Sequence, residues 1–270
     1  MAKTASSVFD IGHLEALASQ TTFIHLLDPR VKVLTTVVFI AVVVSHGKYE
    51  IEGLLPFTVF PAALIAAGNL PVAYLARKVL VAAPFALFVA IFNPFLDRAP
   101  LAHFGAFAVS GGWVSFAAIM IKFILTVAAG LVLVGCTGFN AVCAALARMG
   151  VPGSFTLQLL FLYRYIFVLG DEAARMIRAR ALRSFGGRGM EMRVYGHMLG
   201  QLLLRTLDRA QRIHLAMLCR GFDGEIRLLR PLEVRAADLV FLVGWCALFL
   251  FFRTHNIPEF IGRAVTGLMP

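Results

Sequence analysis

The chain has 270 residues, 60% of them hydrophobic and 15% charged, with 24 Phe and a formal net charge of +10. Soluble domains carry about 25% charged residues, so this composition excludes an ordinary water-soluble globule and points to lipid as the solvent. The basic excess does not indicate nucleic acid, because Lys and Arg flanking apolar runs are the usual mark of cytoplasmic loops in membrane proteins.

In chain order, a mixed polar stretch precedes the first apolar run, which begins only near Val33. That order does not match a signal peptide, and insertion by the first helix is expected. Five spans are predicted. The first, residues 33–45, is short: thirteen residues rise about 20 Å against a hydrocarbon core of about 30 Å, so it must extend past its flanks with Lys32 snorkelling, or enter a thinned region. The second, 53–68, carries Pro56 and Pro61, and residues 46–50 would join it to the first as a hairpin. The third, 79–95, contains Pro84 and ends at Pro94. The fourth, 113–135, is interrupted only by Lys122. The fifth, 236–252, has Asp238 near its start. The fold class is therefore all-α: a polytopic membrane protein of about five transmembrane helices, divided into 1–137, a basic segment 138–235, and 236–270.

Orientation follows from the basic residues. Between Arg148 and Arg235 lie fifteen arginines and no lysine, out of 25 Lys and Arg in all, with seven acids, for a net charge of +8. Placing this segment in the cytoplasm puts Lys3, Arg30, Lys32, Arg77 and Lys78 inside too. The loop with Asp97, His103, Gly111 and Gly112 then falls outside, as does the C-terminal tail.

The basic segment reads as two helices. One runs from Phe155 to about Phe185, after the break at Pro152-Gly153-Ser154, and stops at Gly186, Gly187 and Gly189. The other runs from about Tyr195 to Arg220 and closes at Gly221 and Gly224. Its polar positions Gln201, Arg205, Asp208 and Arg212 and its apolar stripe Leu199, Leu202, Leu203, Ala210, Ile213 and Met217 have amphipathic spacing. Sliding the chain by 37 residues lays 171–187 over 208–224 with seven identities in seventeen positions and no gap. Asp171 meets Asp208, Arg175 meets Arg212, Arg183 meets Arg220, Phe185 meets Phe222 and Gly187 meets Gly224. Each helix thus ends on an arginine that follows apolar positions seven and four residues earlier: Met176 and Ala179, then Ile213 and Ala216. Such a stripe suits a groove with a carboxylate at its end, since the planar guanidinium pairs with a carboxylate through two hydrogen bonds. The same pattern also suits surface helices whose arginines touch lipid headgroups.

Other chemistry is not supported. There is no glycine-rich phosphate loop followed by Lys and Ser or Thr. The histidines (His13, His25, His46, His103, His197, His214, His255) are scattered, without an i,i+4 pair. The cysteines form no C-x-x-C pair, and Cys136, Cys143 and Cys246 read as small buried hydrophobes. Lys122 stands alone within a span, where charge is costly; it can pair with a carboxylate, face a subunit interface or snorkel. A self-sufficient ion permease or intramembrane enzyme would need several ionisable groups converging at mid-membrane.

The stretch Leu215-Ala216-Met217-Leu218-Cys219-Arg220-Gly221-Phe222-Asp223-Gly224 resembles the second signature of the transmembrane coupling subunits of energy-coupling factor (ECF) transporters, in particular the CbiQ-type proteins of cobalt uptake. Leu27-Asp28-Pro29-Arg30-Val31-Lys32-Val33-Leu34 resembles that branch's N-terminal motif, so the resemblance covers nearly the whole chain. It implies that two Ala-Arg-Gly-like motifs end two cytoplasmic coupling helices, each docking on one of two ATP-binding-cassette ATPase subunits. The second motif maps onto Cys219, Arg220 and Gly221, with Cys in the place of Ala. The first maps either onto Leu182-Arg183-Ser184, which fits the internal repeat, or onto Ala179-Arg180-Ala181, which keeps Ala before Arg; neither has Gly after the arginine. The resemblance further implies that ATP and Mg are bound by the partner ATPases, that no cofactor or metal is held here, and that a separate substrate-binding membrane subunit takes the metal. It places the chain in the cell (inner) membrane as a non-catalytic subunit. Nickel and vitamin importers with equivalent subunits remain alternatives.

Overall fold

The computed structural model describes residues 17, 18, 20, 22–96, 100–104, 107–183, 192–224 and 234–255. Elements in chain order are α1 (Phe23–Leu26), α2 (Pro29–Val44), α3 (Ile51–Leu54), a 3-10 turn (Leu55–Thr58), α4 (Val59–Ala67), α5 (Val72–Ala90) and α6 (Asn93–Leu96). An antiparallel hairpin follows, β1 (Pro100–Phe104) with β2 (Phe107–Ser110), and then α7 (Gly111–Thr137), α8 (Phe139–Arg148), α9 (Gly153–Arg183), α10 (Met192–Cys219) and α11 (Ala236–Thr254). The protein is an all-α multi-pass membrane protein apart from this one short hairpin, which lies in the loop that the sequence assigns to the outside.

The predicted spans correspond to α2, the α3–α4 run, α5, α7 and α11. Their limits shift for local reasons. Pro29 occupies the first turn of α2, where its missing N–H is not needed, and Asp28 caps that helix by accepting a hydrogen bond from the Arg30 N–H at 2.8 Å. The helix therefore starts earlier than the apolar run does. Pro56 sits in the 3-10 turn and breaks the second span in two. Pro71 starts α5 ahead of the predicted third span, and that helix runs through Pro84.

Among the described residues, four helices are long and apolar enough to cross a membrane: Val72–Ala90, Gly111–Thr137, Gly153–Arg183 and Ala236–Thr254. The third of these is the helix that the sequence reading places in the cytoplasm. Its first half is apolar but for Gln158 and Arg164, and its second half carries Arg175, Arg178, Arg180 and Arg183, so the arginines hide the apolar half when the segment is read as one piece.

The chain divides into two compact units, residues 15–142 with 232–270, and 143–231 with the N-terminal stretch. In the first, α2 packs against both α7 and α11, and α5 packs against α7. Its centre is a cluster of rings: Phe39 of α2, Phe57 of the 3-10 turn, Phe60 of α4 and Phe249 of α11 are all fully buried. Phe39 lies 4.6 Å from Phe60 and 5.4 Å from Phe249 between ring centroids, and Trp245 meets Phe60 edge-on at 4.9 Å. On α5, by contrast, Leu80, Val81, Phe85 and Phe88 are exposed, which is what a lipid-facing surface requires. The α4 end approaches α7 closely at Gly68, where a Cβ would come 2.9 Å from the Cys136 Sγ. Cys136 and Cys143 are buried as expected, but Cys246 is half-exposed because its stretch of α11 carries an outward side.

In the second unit, α9 packs against α10. No residue of α10 is buried. Val194, Met198, Leu202, Thr206, Ile213 and Met217 are half-buried, while Leu199 is 65% and Leu203 59% exposed. The predicted stripe is therefore wider than the packed one.

Candidate functional site: two arginine-ended helices and the junction that precedes α11

Arg183 is the last residue of α9 and is exposed, as is Arg180 one turn earlier. Ser184 lies outside the described residues, as do Phe185 and the glycines after it. At the end of α10, Cys219 is exposed and the exposed Arg220 is the capping residue. Gly221 follows with φ +78°, the left-handed conformation in which only glycine is unstrained. The Phe222 N–H returns to the Met217 carbonyl and the Gly221 N–H to the Leu218 carbonyl, both at 3.0 Å. This is a Schellman cap, and it gives Gly221 a backbone role distinct from docking. The internal repeat extends to exposure: Met176 and Ile213 are both half-buried, and Ala179 and Ala216 are both exposed.

One bridge links the two helices. Glu172 accepts hydrogen bonds from Arg175 on its own helix and from Arg205 of α10, each at 2.6 Å. These bonds, with Arg175 first, hold its carboxyl below the usual carboxylate range. The Glu172–Arg205 contact was not foreseen, because the self-alignment compares the helices in parallel while the chain packs one against the other.

The membrane unit holds the other informative group. The Lys32 ammonium is buried, with 5% of the residue exposed, and donates to the carbonyls of Ile24 at 3.1 Å and Cys136 at 3.3 Å. Cys136 lies in the last turn of α7, where the helix leaves carbonyls unpaired and the dipole is negative; the Ile24 carbonyl also accepts the Leu27 N–H at 3.3 Å. Lys122 of α7 does the same in the opposite sense, donating to the His46 carbonyl at 2.6 Å and to that of Gly47 at 3.4 Å, just past the end of α2. Fourteen residues separate Lys32 from His46 and fourteen separate Lys122 from Cys136, about 21 Å of helix in each case. So α2 and α7 are antiparallel, and each contributes a lysine to the carbonyl end of the other. Lys122 thus donates to backbone carbonyls rather than to a carboxylate. Lys32 is not a snorkelling flank but an internal clamp; its spacing to Cys136 is invisible in sequence. Arg253 of α11 adds a contact to the Ser45 carbonyl at 3.3 Å. Burial lowers the pKa of the His46 imidazole beside this end.

Asp238 closes the opposite end. It is 2% exposed, and both its oxygens are used: Oδ2 accepts from the Arg235 N–H at 2.7 Å and Oδ1 from the Asp28 N–H at 2.8 Å. The start of α2, the end of α7 and the start of α11 therefore lie together, through Asp28, Lys32, Cys136 and Asp238. The chain thus leaves the membrane unit after α7 and re-enters it at α11 on one face. Among the described residues between them, only α9 is long and apolar enough to cross a membrane. Among the same residues no group of His, Cys, Asp and Glu is arranged to hold a metal ion.

Comparison with known proteins bears on this architecture. The chain matches the family described as CbiQ, cobalt transport protein, over residues 20–231. It belongs to that family. It is 36% identical over 87 residues to the cobalt transport protein CbiQ of Rhodobacter capsulatus, covering 32% of this chain and 36% of that protein. It is 31% identical over 109 residues to an uncharacterized protein of Methanocaldococcus jannaschii, covering 40% and 37%. It is 23% identical over 245 residues to the energy-coupling factor transporter transmembrane protein EcfT of Clostridium kluyveri, covering 85% of this chain and 90% of that one. The first two alignments thus span little more than a third of those relatives, and the third spans nearly the whole chain. Residues 20–231 include both the N-terminal Asp28-Pro29-Arg30 stretch and Arg220-Gly221.

Proposed function

We propose that this chain is the transmembrane coupling subunit of an ATP-driven ECF-type importer for cobalt ions. The observation that carries the reading is the pair of exposed arginines, Arg183 and Arg220, each at the end of a long amphipathic helix in a chain of the cobalt transport protein family. Arg180 is the alternative on α9. In this reading α9 and α10 are coupling helices in the cytoplasm, and each terminal arginine docks on one of two ATP-binding-cassette subunits. The positive-inside rule supports that side, and the shared face of the α7 exit and the α11 entry supports a segment that does not cross. ATP and Mg are held by the partner ATPases, and the metal by a separate membrane subunit. The chain itself is non-catalytic, and the membrane is the cell (inner) membrane with the N-terminus inside.

The mechanism follows from stiffness. ATP binding draws the two ATPases together, and their surfaces carry the helix ends with them. An exposed arginine on a capped helix end is suited to this because a guanidinium holds a carboxylate in a fixed orientation through paired hydrogen bonds. The Glu172–Arg205 bridge connects the two helices, so a displacement of one is felt by the other. The motion reorients the substrate-binding subunit packed on this one. A self-sufficient permease is the alternative reading; against it, Lys32 and Lys122 are both engaged with carbonyls and Asp238 with backbone N–H groups.

The test is purification of a tagged chain together with its two ATPases, followed by Arg183→Ala, Arg220→Ala and the double change. The single variants weaken ATPase co-purification by about tenfold, the scale of losing one charge-assisted pair. The double variant releases the ATPases and abolishes ATP-dependent cobalt uptake. Normal assembly and uptake in the double variant would overturn the docking role.

A further inference from the structure

We infer that Asp238 is a positioning residue for transport: it latches the start of α11 to the start of α2, so that displacement of the coupling segment reaches the membrane helices as one rigid movement. This rests on the coupling reading above. The coupling segment joins the membrane helices at two places: through α8 to the end of α7, and through residues 220–235 to the start of α11.

A helix start pulled by its preceding chain would normally fray, because its first N–H groups lack internal partners. Here the fraying end is held twice by one carboxylate. The Oδ2–Arg235 bond is a local cap at the N3 position, within reach of any Asp there. The Oδ1–Asp28 bond is not local. It joins residues 210 apart in sequence, and its donor is the backbone of the residue that caps α2. Asp28 in turn holds the Arg30 N–H, so one chain of three hydrogen bonds runs from the α11 cap through Asp28 to the first turn of α2.

Burial makes the latch stiff. A carboxylate at 2% exposure cannot exchange either amide for water without a large cost, and Lys32 interacts electrostatically with both Asp28 and Asp238. Above the latch the two helices stay fused, since Phe39 of α2 meets Phe249 of α11. From α2 the movement passes to α7 through the two reciprocal lysine clamps. A purely stabilising cap would need only the Arg235 bond; the second oxygen is what turns a cap into a joint between helices.

The test is Asp238→Asn in the complete complex, reconstituted with its ATPases and substrate subunit in liposomes. The amide keeps the volume and one acceptor, but its NH2 group must then face one of the two N–H donors, so one half of the latch is lost. The expected result is normal ATPase co-purification and normal ATP hydrolysis, with cobalt taken up per ATP reduced about tenfold. Unchanged uptake per ATP in an assembled Asp238→Asn complex overturns the inference, and so does a parallel fall of hydrolysis and uptake at unchanged ratio, which is what loss of folded complex alone produces. If the variant does not assemble, the wild-type complex decides by hydrogen exchange. The Asp28 and Arg235 amides stay protected with and without ATP if the latch is rigid, and unprotected exchange of either amide in either state overturns it. Failure of the wild-type chain to hold ATPases or to support cobalt uptake is a different result, which strikes the coupling reading rather than the latch.

Discussion

The membrane unit and the α9–α10 pair use cations in opposite ways. Lys32 and Lys122 direct their ammonium groups at carbonyls on the ends of neighbouring helices, and Lys32 is buried to do so. Arg180, Arg183 and Arg220 stand exposed at or near the ends of their own helices. A buried cation must be matched locally, because leaving charge or carbonyl unpaired in a low-dielectric interior costs several kcal/mol. An exposed arginine is hydrated at little cost and remains available to a partner. The first arrangement ties helices to one another; the second leaves charge at the surface, where the proposed docking would use it. The same division appears among the apolar residues, with Phe39, Phe57, Phe60 and Phe249 locked together in one unit and Leu199 and Leu203 left uncovered on α10.

The largest effect that tests this contrast is Lys32→Met. It removes the donor from the Ile24 and Cys136 carbonyls and the cation beside Asp28 and Asp238, and should destabilise the chain by about 3 kcal/mol. Lys122→Met, at a half-buried site, should cost only about 1 kcal/mol. Apparent unfolding temperatures in detergent order the two, and equal losses would break the contrast between a buried clamp and a partly exposed one. Gly221→Ala comes next. It forces a side chain into φ +78° and should cost about 1 kcal/mol, confined to the last turn of α10. Hydrogen exchange should rise at the Gly221 and Phe222 amides and remain unchanged in α2 and α7.

The smallest effect belongs to Glu172. Its folded-state pKa is depressed by Arg175 and Arg205, so the bridge contributes fully above the ordinary carboxylate value of about 4.3 and is lost as pH falls through the lower folded value. The pair is exposed, so salt weakens it as well. Spin labels on α9 and α10 should show the helices loosening below that pH, and Glu172→Gln should remove the pH dependence. A pH response that persists in Glu172→Gln would assign the contact to apolar packing instead.

Much of the architecture is legible along the chain. Apolar runs mark α2, α5, α7 and α11 because lipid favours an apolar surface, and the arginines of 148–235 stand out because charge within a span is costly. The Arg183 and Arg220 ends are legible because helix stops use glycine and the segment repeats itself. The early start of α2 is readable in retrospect from Asp28-Pro29, a helix-start pair that hydropathy does not register. The apolar half of α9 was obscured by averaging with its arginine-rich half. Lys32 and Asp238 read as flanking residues in the sequence, because their acceptors and donors lie 104 and 210 residues away and no local pattern carries that information.

By itself the sequence determined the solvent, the helical class, the basic segment and the two arginine-ended helices. Each of these follows from local chemistry: apolarity per turn, charge per loop, glycine at a helix stop. Only the tertiary structure decided that Lys32 and Lys122 form a reciprocal clamp and that Asp238 joins α11 to α2. It also showed that the basic segment leaves and re-enters the membrane unit on one face. Those outcomes depend on which helix ends meet in space, and helix ends meet because unpaired carbonyls and amides buried away from water must find partners wherever the fold brings them.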